Sequence, residues 1–394
     1  MRWESFFYTL FLCVHTLSNN GKSNLIRTEE SCEMPTILSV AEAIPPFTIT
    51  QDKVMDFAEE LFSESFQDIK RLLPVFLNGQ IEKRHFSKDL EWFKQDHTLQ
   101  EKNDAYIESS VILGVEAIEK CLSNSMYLSK NIPYDEIEAI FTISSTGITT
   151  PSIEARIMNL LPFTPHTKRV PIWGLGCAGG ASGLSRAYEY CLAFPKAKVL
   201  VLAIELCSLT FQRNDRSKSN LVGTSLFADG VAAVVVCGEE SDFHTYQKSQ
   251  AIPNIIATKS TLMKDSLDVM GWDMKNEGLH VVFSRDIPTI VENWLEPNVH
   301  SFLEEQNIKI EEVRHFIAHP GGKKVLDAYE KALGLPEGMT EISLQVLKEN
   351  GNMSSATIFY VLNRFMEQAS AGEYGLAAAL GPGFSSELLL MRWE

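Results

Sequence analysis

Apolar positions recur along this chain in two alternating rhythms. From Gln51 to Phe66, residues Val54, Phe57, Ala58, Leu61 and Phe62 return at helical spacing. Asp104 to Leu122 repeats that signature behind Asp104 as a helix start. Between such stretches lie apolar runs of strand length. Pro35 to Val40 reads as a first strand, and Ile137 to Ser144 as another that stops at Ser145-Thr146-Gly147. Pro151 to Leu161 reads as a short helix and Val170 to Trp173 as a strand. A glycine-rich elbow and a helix from about Ala178 to Phe194 follow. Lys198–Leu206 and Val231–Cys237 are apolar almost throughout, as strands buried on both faces are. After about Glu239 the chain turns polar, which places a boundary there. The second half repeats the theme. Helices are expected at Ile287–Gln306, Lys323–Leu333 and Ser354–Ala369, a strand end at Phe316–Ala318 and a buried strand at Tyr374–Leu380. Strands alternating with helices in both halves predict an α/β fold with helices on both sides of the sheets.

The 394 residues are 45% apolar and 22% charged, enough to bury a large core without disulfide or metal staples. A net charge of −16 argues against nucleic acid as partner, since such binders carry a basic face. Seven cysteines without a Cys-x-x-Cys pair form a reduced, cytoplasmic pattern. No apolar run reaches the ~18–20 residues that span a bilayer, so no stable membrane anchor is expected. The nearest run, Phe6 to Leu17, is interrupted by Thr9, His15 and Thr16. It lacks both a cationic start and a small-x-small cleavage site. Residues 1–33 are expected to be a disordered or non-native extension, with a first half over 34–240 and a second over 241–394.

Chemistry concentrates in three glycine-marked turns. The first is Trp173-Gly174-Leu175-Gly176-Cys177-Ala178-Gly179-Gly180. Its Gly174-x-Gly176-x-x-Gly179 pattern between a strand and a helix fits a dinucleotide fingerprint, with Glu205 as the distal acid. The competing reading is a nucleophile elbow, since a cysteine in the centre of the turn is not what a pyrophosphate cradle needs. Cys177 at a helix N-terminus would have a lowered pKa and an N–H directed at an oxyanion. The second turn is His319-Pro320-Gly321-Gly322, which exposes His319 at the carboxyl end of a strand, where ligands of open α/β sheets collect. His315 shares its face, but no acidic third ligand accompanies the pair, so no metal site is expected. The third is Gly351-Asn352-Met353-Ser354-Ser355-Ala356. Here Asn352 is either a turn residue or an amide donor, and Ser354 a helix cap.

Taken in order, these three motifs resemble the type III polyketide synthases, the chalcone- and stilbene-synthase-like enzymes of the thiolase fold. Ile81-Glu82-Lys83-Arg84-His85, Leu221 to Gly230 and Gly381-Pro382-Gly383-Phe384 agree with them, so the likeness runs from about Met34 to Glu394. It implies a five-layer αβαβα architecture with two pseudo-duplicated halves. It further implies that Cys177 carries the acyl group, with His319 and Asn352 as catalytic partners. Phe227 resembles one of two gatekeeper phenylalanines. The other falls at Val281, a departure, and Trp272 lies on the same cavity segment. Cys207 replaces the threonine of plant enzymes near Glu205, where members steer cyclisation. Of the basic residues that contact coenzyme A phosphates, Arg71 matches one, whereas Pro74 and Asn78 stand where others would be.

The gate departures speak against plant-like aromatic starters, and the Gly271-Trp272-Asp273 segment resembles bacterial members that extend long acyl-CoA starters with malonyl-CoA into alkylpyrones or alkylresorcinols, as homodimers, without metal or cofactor. The rival within the fold is an initiating ketoacyl synthase served by a carrier protein. The rivals outside it are a nicotinamide-dependent oxidoreductase and a non-enzymatic acyl-binding protein.

Overall fold

Apolar runs of strand length that are buried on both faces form the middle of the sheet. In the computed structural model of the protein, Lys198–Leu206 and Asp229–Cys237 are buried at every position and lie side by side. The structure describes residues 34–63, 69–249, 251–284 and 287–394. The run Phe6–Leu17 and the 1–33 extension lie outside the described residues. Met34–Glu394 pack as one compact unit.

The strands in chain order are β1 (Thr36–Ala43), β2 (Phe47–Thr50), β3 (Lys83–Phe86), β4 (Ile137–Ile143), β5 (Lys168–Ile172), β6 (Lys198–Leu206) and β7 (Asp229–Cys237). They continue as β8 (Pro253–Leu262), β9 (Met270–Lys275), β10 (Gly278–Phe283), β11 (Val313–Ala318), β12 (Tyr374–Gly381) and β13 (Ser385–Trp393). Nine of them form one sheet in the order β11-β12-β13-β8-β1-β7-β6-β4-β5. A duplication is visible in that order. From the centre outwards the first half runs β1-β7-β6-β4 and the second β8-β13-β12-β11. In both, the first two pairings are antiparallel and the third is parallel. The halves meet at one registered pair, Thr36 with Asn254.

Two helices lie between the halves. Gly179–Ala193 touches β4 and β6 of the first half and β12 and β13 of the second, while Thr357–Gln368 touches β1, β7 and β11. Leu99–Leu122 covers β1, β6 and β7 from outside. On the opposite outer face, Phe302 and Tyr329 of helices Glu296–Glu305 and Lys323–Leu333 pack with Phe316, Leu376 and Leu388. Helix, sheet, helix, sheet and helix make the five layers of the thiolase architecture. Among the described residues no helix is long and apolar enough to cross a membrane.

Two elements differ from the sequence reading for identifiable reasons. The 104–122 helix begins at Leu99, because Thr98 and Glu101 close a capping box. The expected 287–306 helix is three pieces: Ile287–Ile290, a π-turn Val291–Leu295, and Glu296–Glu305. Pro297 has no N–H to give the preceding turn, and the backbone relaxes into the wider winding.

Candidate active site

β5 hands the chain to a single 3₁₀ turn, Gly176–Ala178, and then to the 179–193 helix. Gly176 takes φ +46°, where a side chain would be strained. A Cβ there would stand 2.8 Å from Pro382, and one on Gly180 would stand 2.2 Å from the Ser355 carbonyl oxygen. The glycines therefore let the second half close onto the nucleophile turn. Within the Gly174-x-Gly176-x-x-Gly179 pattern, Gly176 and Gly179 face Pro382 and Ile143 at contact distance, the role of close-packing glycines.

Cys177 is half-buried, and its Sγ lies 4.0 Å from Asn352 Oδ1. Burial pushes its thiol up to about 12, with the Glu205 carboxyl adding to the rise. This reverses the expected depression: around this sulfur, loss of water outweighs the polar groups of the turn.

Asn352 follows the 341–350 helix through Gly351, whose φ of +75° turns the chain against the Arg84 side chain. Its backbone is pinned on both sides. Asn352 N–H donates to Leu226 O at 3.0 Å, and Ala228 N–H donates to Asn352 O at 2.9 Å. Its Oδ1 accepts from Ser354 N–H at 2.8 Å, and its Nδ2 lies 3.4 Å from Gly321 O. Ser354 is not the helix cap the sequence suggested. It sits at φ +48°, and Thr357 Oγ1 instead accepts the Met353 N–H at 2.9 Å.

His319 stands one residue past β11, held by its N–H donating to Ala378 O at 2.8 Å. It is 2% exposed, and neither ring nitrogen has a hydrogen-bond partner among the described residues. Burial lowers its pKa to about 3, so the imidazole is neutral. The Asn352 amide thus spans from the Cys177 sulfur to the His-Pro-Gly-Gly turn, and the three motifs share one site.

Glu205, fully buried at the end of β6, ties two of these turns together. Its carboxylate accepts from Ser145 N–H at 3.0 Å and from Ser355 Oγ at 2.5 Å, while Ser145 Oγ accepts from Gly176 N–H at 3.1 Å. Burial raises its pKa to about 7. Cys207, buried two residues on, has its thiol raised by the same loss of water.

The residues likened to the family's gatekeepers also converge. β9 and β10 set Trp272 directly across from Val281, and the Phe227 ring lies 5.6 Å from both Trp272 and Phe283. Phe227, Trp272, Val281 and Cys207 line a slender apolar cavity. Arg71 does not: it is exposed in the turn Ile69–Arg71. Phe283 and Arg84 were missed in the sequence reading. Phe283 is two residues beyond Val281 on the same strand face, a period that was there to be read. Arg84 Nη1 donates to Thr224 O at 2.7 Å and Phe227 O at 2.8 Å, contacts no local pattern announces. His315 bonds Glu373 at 2.8 Å, and among the described residues no group of three potential ligands could hold a metal ion.

A half-buried thiol, a neutral imidazole and a side-chain amide, converging between the halves of a doubled α/β fold, define a thiol acyl-transfer site of the thiolase type. Comparison with known proteins is specific. Residues 22–240 match the N-terminal domain of chalcone and stilbene synthases, and residues 254–393 match their C-terminal domain. The chain is 53% identical over 363 residues to a "Putative chalcone synthase" of Bacillus subtilis (strain 168), covering 92% of this chain and 99% of the relative. It is 32% identical to the 1,3,6,8-tetrahydroxynaphthalene synthase of Streptomyces peucetius subsp. caesius, covering 91% and 93%. The crystal structure of 1,3,6,8-tetrahydroxynaphthalene synthase from Streptomyces coelicolor A3(2) superposes with a TM-score of 0.82 at 25% identity, covering 91% and 99%. The chain belongs to the chalcone and stilbene synthase family, and is an acyltransferase of the type III polyketide synthases.

Proposed function

We propose that this enzyme extends long-chain acyl-CoA starters with malonyl-CoA and closes the product to an alkylpyrone or alkylresorcinol. The observation that carries the reading is the apolar cavity lined by Phe227, Trp272, Val281 and Cys207, with Phe227 bridged through its backbone to Asn352.

Cys177 Sγ attacks the acyl-CoA carbonyl as its proton passes to the neutral His319 ring, and coenzyme A leaves as the thiol. The shifts at both groups favour the neutral pair at rest, so proton transfer accompanies attack. Malonyl-CoA then loses CO₂. The enolate oxygen left on its thioester is met by N–H donors from His319 and Asn352. Its carbon attacks the Cys177 thioester, freeing the thiolate and leaving a chain two carbons longer on coenzyme A. That chain reloads for the next round. These steps are redox-neutral and invoke no metal or prosthetic group. Arg71 is proposed to meet the coenzyme A phosphates at the surface. The enzyme is further proposed to be a cytoplasmic homodimer.

The test is incubation of the purified protein with malonyl-CoA and an acyl-CoA series from short to long, products being read by mass spectrometry. Pyrone or resorcinol masses that vanish in Cys177→Ala establish the synthase. A single two-carbon extension, or a requirement for carrier protein, would instead favour the initiating ketoacyl synthase. Asn352→Ala should lower kcat by roughly 10²–10³.

A further inference from the structure

The cavity lined by Phe227 is slender. Its volume is about 50 Å³, against about 560 Å³ for a polar crevice nearby. Phe93 and Phe211 line both. They are therefore the wall shared by the apolar slot, which also touches Phe227, and the polar crevice.

Apart from the Arg84 guanidinium at its wall, the slot is apolar. Its hydroxyl and amide side chains are turned to protein partners: Ser208 Oγ to Asp229, Thr210 Oγ1 to Cys207 O, Asn220 Nδ2 to Gln212 O and Thr224 Oγ1 to Asn220 O. Phe211 stands edge-on to Phe57 and Phe93, with centroids 6.0 and 6.2 Å apart. Its carbonyl accepts from Lys102 Nζ at 3.1 Å, and the same ammonium donates to Gln212 Oε1 at 3.0 Å. On the crevice side the surroundings change to Lys102, Arg213, Asp215 and Lys275, a wall no alkyl chain would prefer.

We propose that Phe211, backed by Phe93, is the residue that sets the length of acyl chain the enzyme accepts. The tail of the Cys177-bound chain lies in the slot between Phe227 and this pair. A chain too long for the slot meets the Phe211 ring, and a shorter one leaves part of the slot unfilled. The assignment rests on the acyl-CoA starter reading above.

The experiment competes straight-chain acyl-CoA starters of increasing length against one another on the full chain, with malonyl-CoA in excess, for the wild type, Phe211→Ala and Phe211→Trp. Melting curves check that each variant folds. Phe211→Ala should move the preferred starter to longer chains. Each methylene it newly admits should raise the long-to-short ratio of kcat/KM about fourfold, the value of one buried methylene. Phe211→Trp should move the preference the other way. Turnover by both folded variants with the wild-type length profile would overturn this role of Phe211 and leave the synthase standing. Wild type without any Cys177-dependent product from an acyl starter would overturn both. If Phe211→Ala does not fold, Phe211→Trp and Phe93→Leu decide, with opposite shifts expected.

Discussion

Arg84 shows how much one buried side chain holds in place. It is 1% exposed, and burial pushes its guanidinium down to about 9, so it remains charged at neutral pH. Nη1 holds the carbonyls of Thr224 and Phe227, while the side-chain methylenes form the surface on which Gly351 turns. It thereby positions both the gate and the segment that pins Asn352. Arg84→Met should cost roughly 1–3 kcal/mol for each carbonyl left unpaired. It should also lower kcat more than it raises KM, in thermal melts and steady-state kinetics. Arg84→Lys should not restore kcat, because a lysine lacks the planar fork. Glu205 gives a prediction in pH. Its pKa is raised from 4.5 to about 7 by burial, so the folded state holds that proton more tightly than the unfolded chain. This contribution to stability is complete below the unfolded value and is lost as pH rises through the folded one. Glu205→Gln should therefore gain in melting temperature relative to wild type between about pH 5 and about pH 8. A constant difference across that range would refute the assignment.

Among the elements, the turns were the most legible part of the chain. Cys177, His319 and Asn352 each sit in a glycine-marked turn at the end of a strand or helix, and such punctuation survives in a bare sequence. The glycines themselves were ambiguous. The same spacing serves a phosphate cradle or a close contact, and only the Pro382 and Ser355 atoms facing them decide. Gly180→Ala should accordingly destabilise the fold by on the order of 1–3 kcal/mol. Its Cβ would meet backbone that cannot swing aside, and urea unfolding would measure the loss. β13 was missed for a different reason. Its Leu388-Leu389-Leu390-Met391 core is buried on both faces, and a continuous apolar run has no period to separate strand from helix. The break at Pro297 was visible in the sequence, but the apolar spacing ran smoothly across it. The fall of the Cys177 pKa was expected from the helix start alone; burial, a property of the folded interior, overrode it.

For the whole molecule, the repetition of strands and helices announced two like halves. That they share a sheet through Thr36 and Asn254 was not readable, because the pairing joins residues more than two hundred positions apart. One edge of that sheet is bare. β5 closes the order beyond β4, with Val170 37% exposed and Trp173, just past its end, 55% exposed. Trp173 Nε1 donates to Gly147 O at 3.3 Å, beside the exposed Ile148. An edge strand flanked by apolar side chains is open to pairing with another chain. The proposed homodimer should form there. Sedimentation should give twice the chain mass for the wild type and a shift towards monomer for the double variant Val170→Glu, Trp173→Glu.

The meeting of the two halves at the start of β8 has a consequence for how the gene can be rearranged. Ile255 N–H donates to Pro35 O at 2.8 Å, while Ile252 and Glu394 exchange backbone hydrogen bonds. The first and last strands of the described fold thus end beside each other, at the point where the second half begins. Bridging Glu394 to Met34 with a short linker and reopening the chain between β7 and β8 would yield a circular permutant. In it the half bearing His319 and Asn352 would be translated first. The architecture demands that both halves be present, but not the order in which a ribosome delivers them.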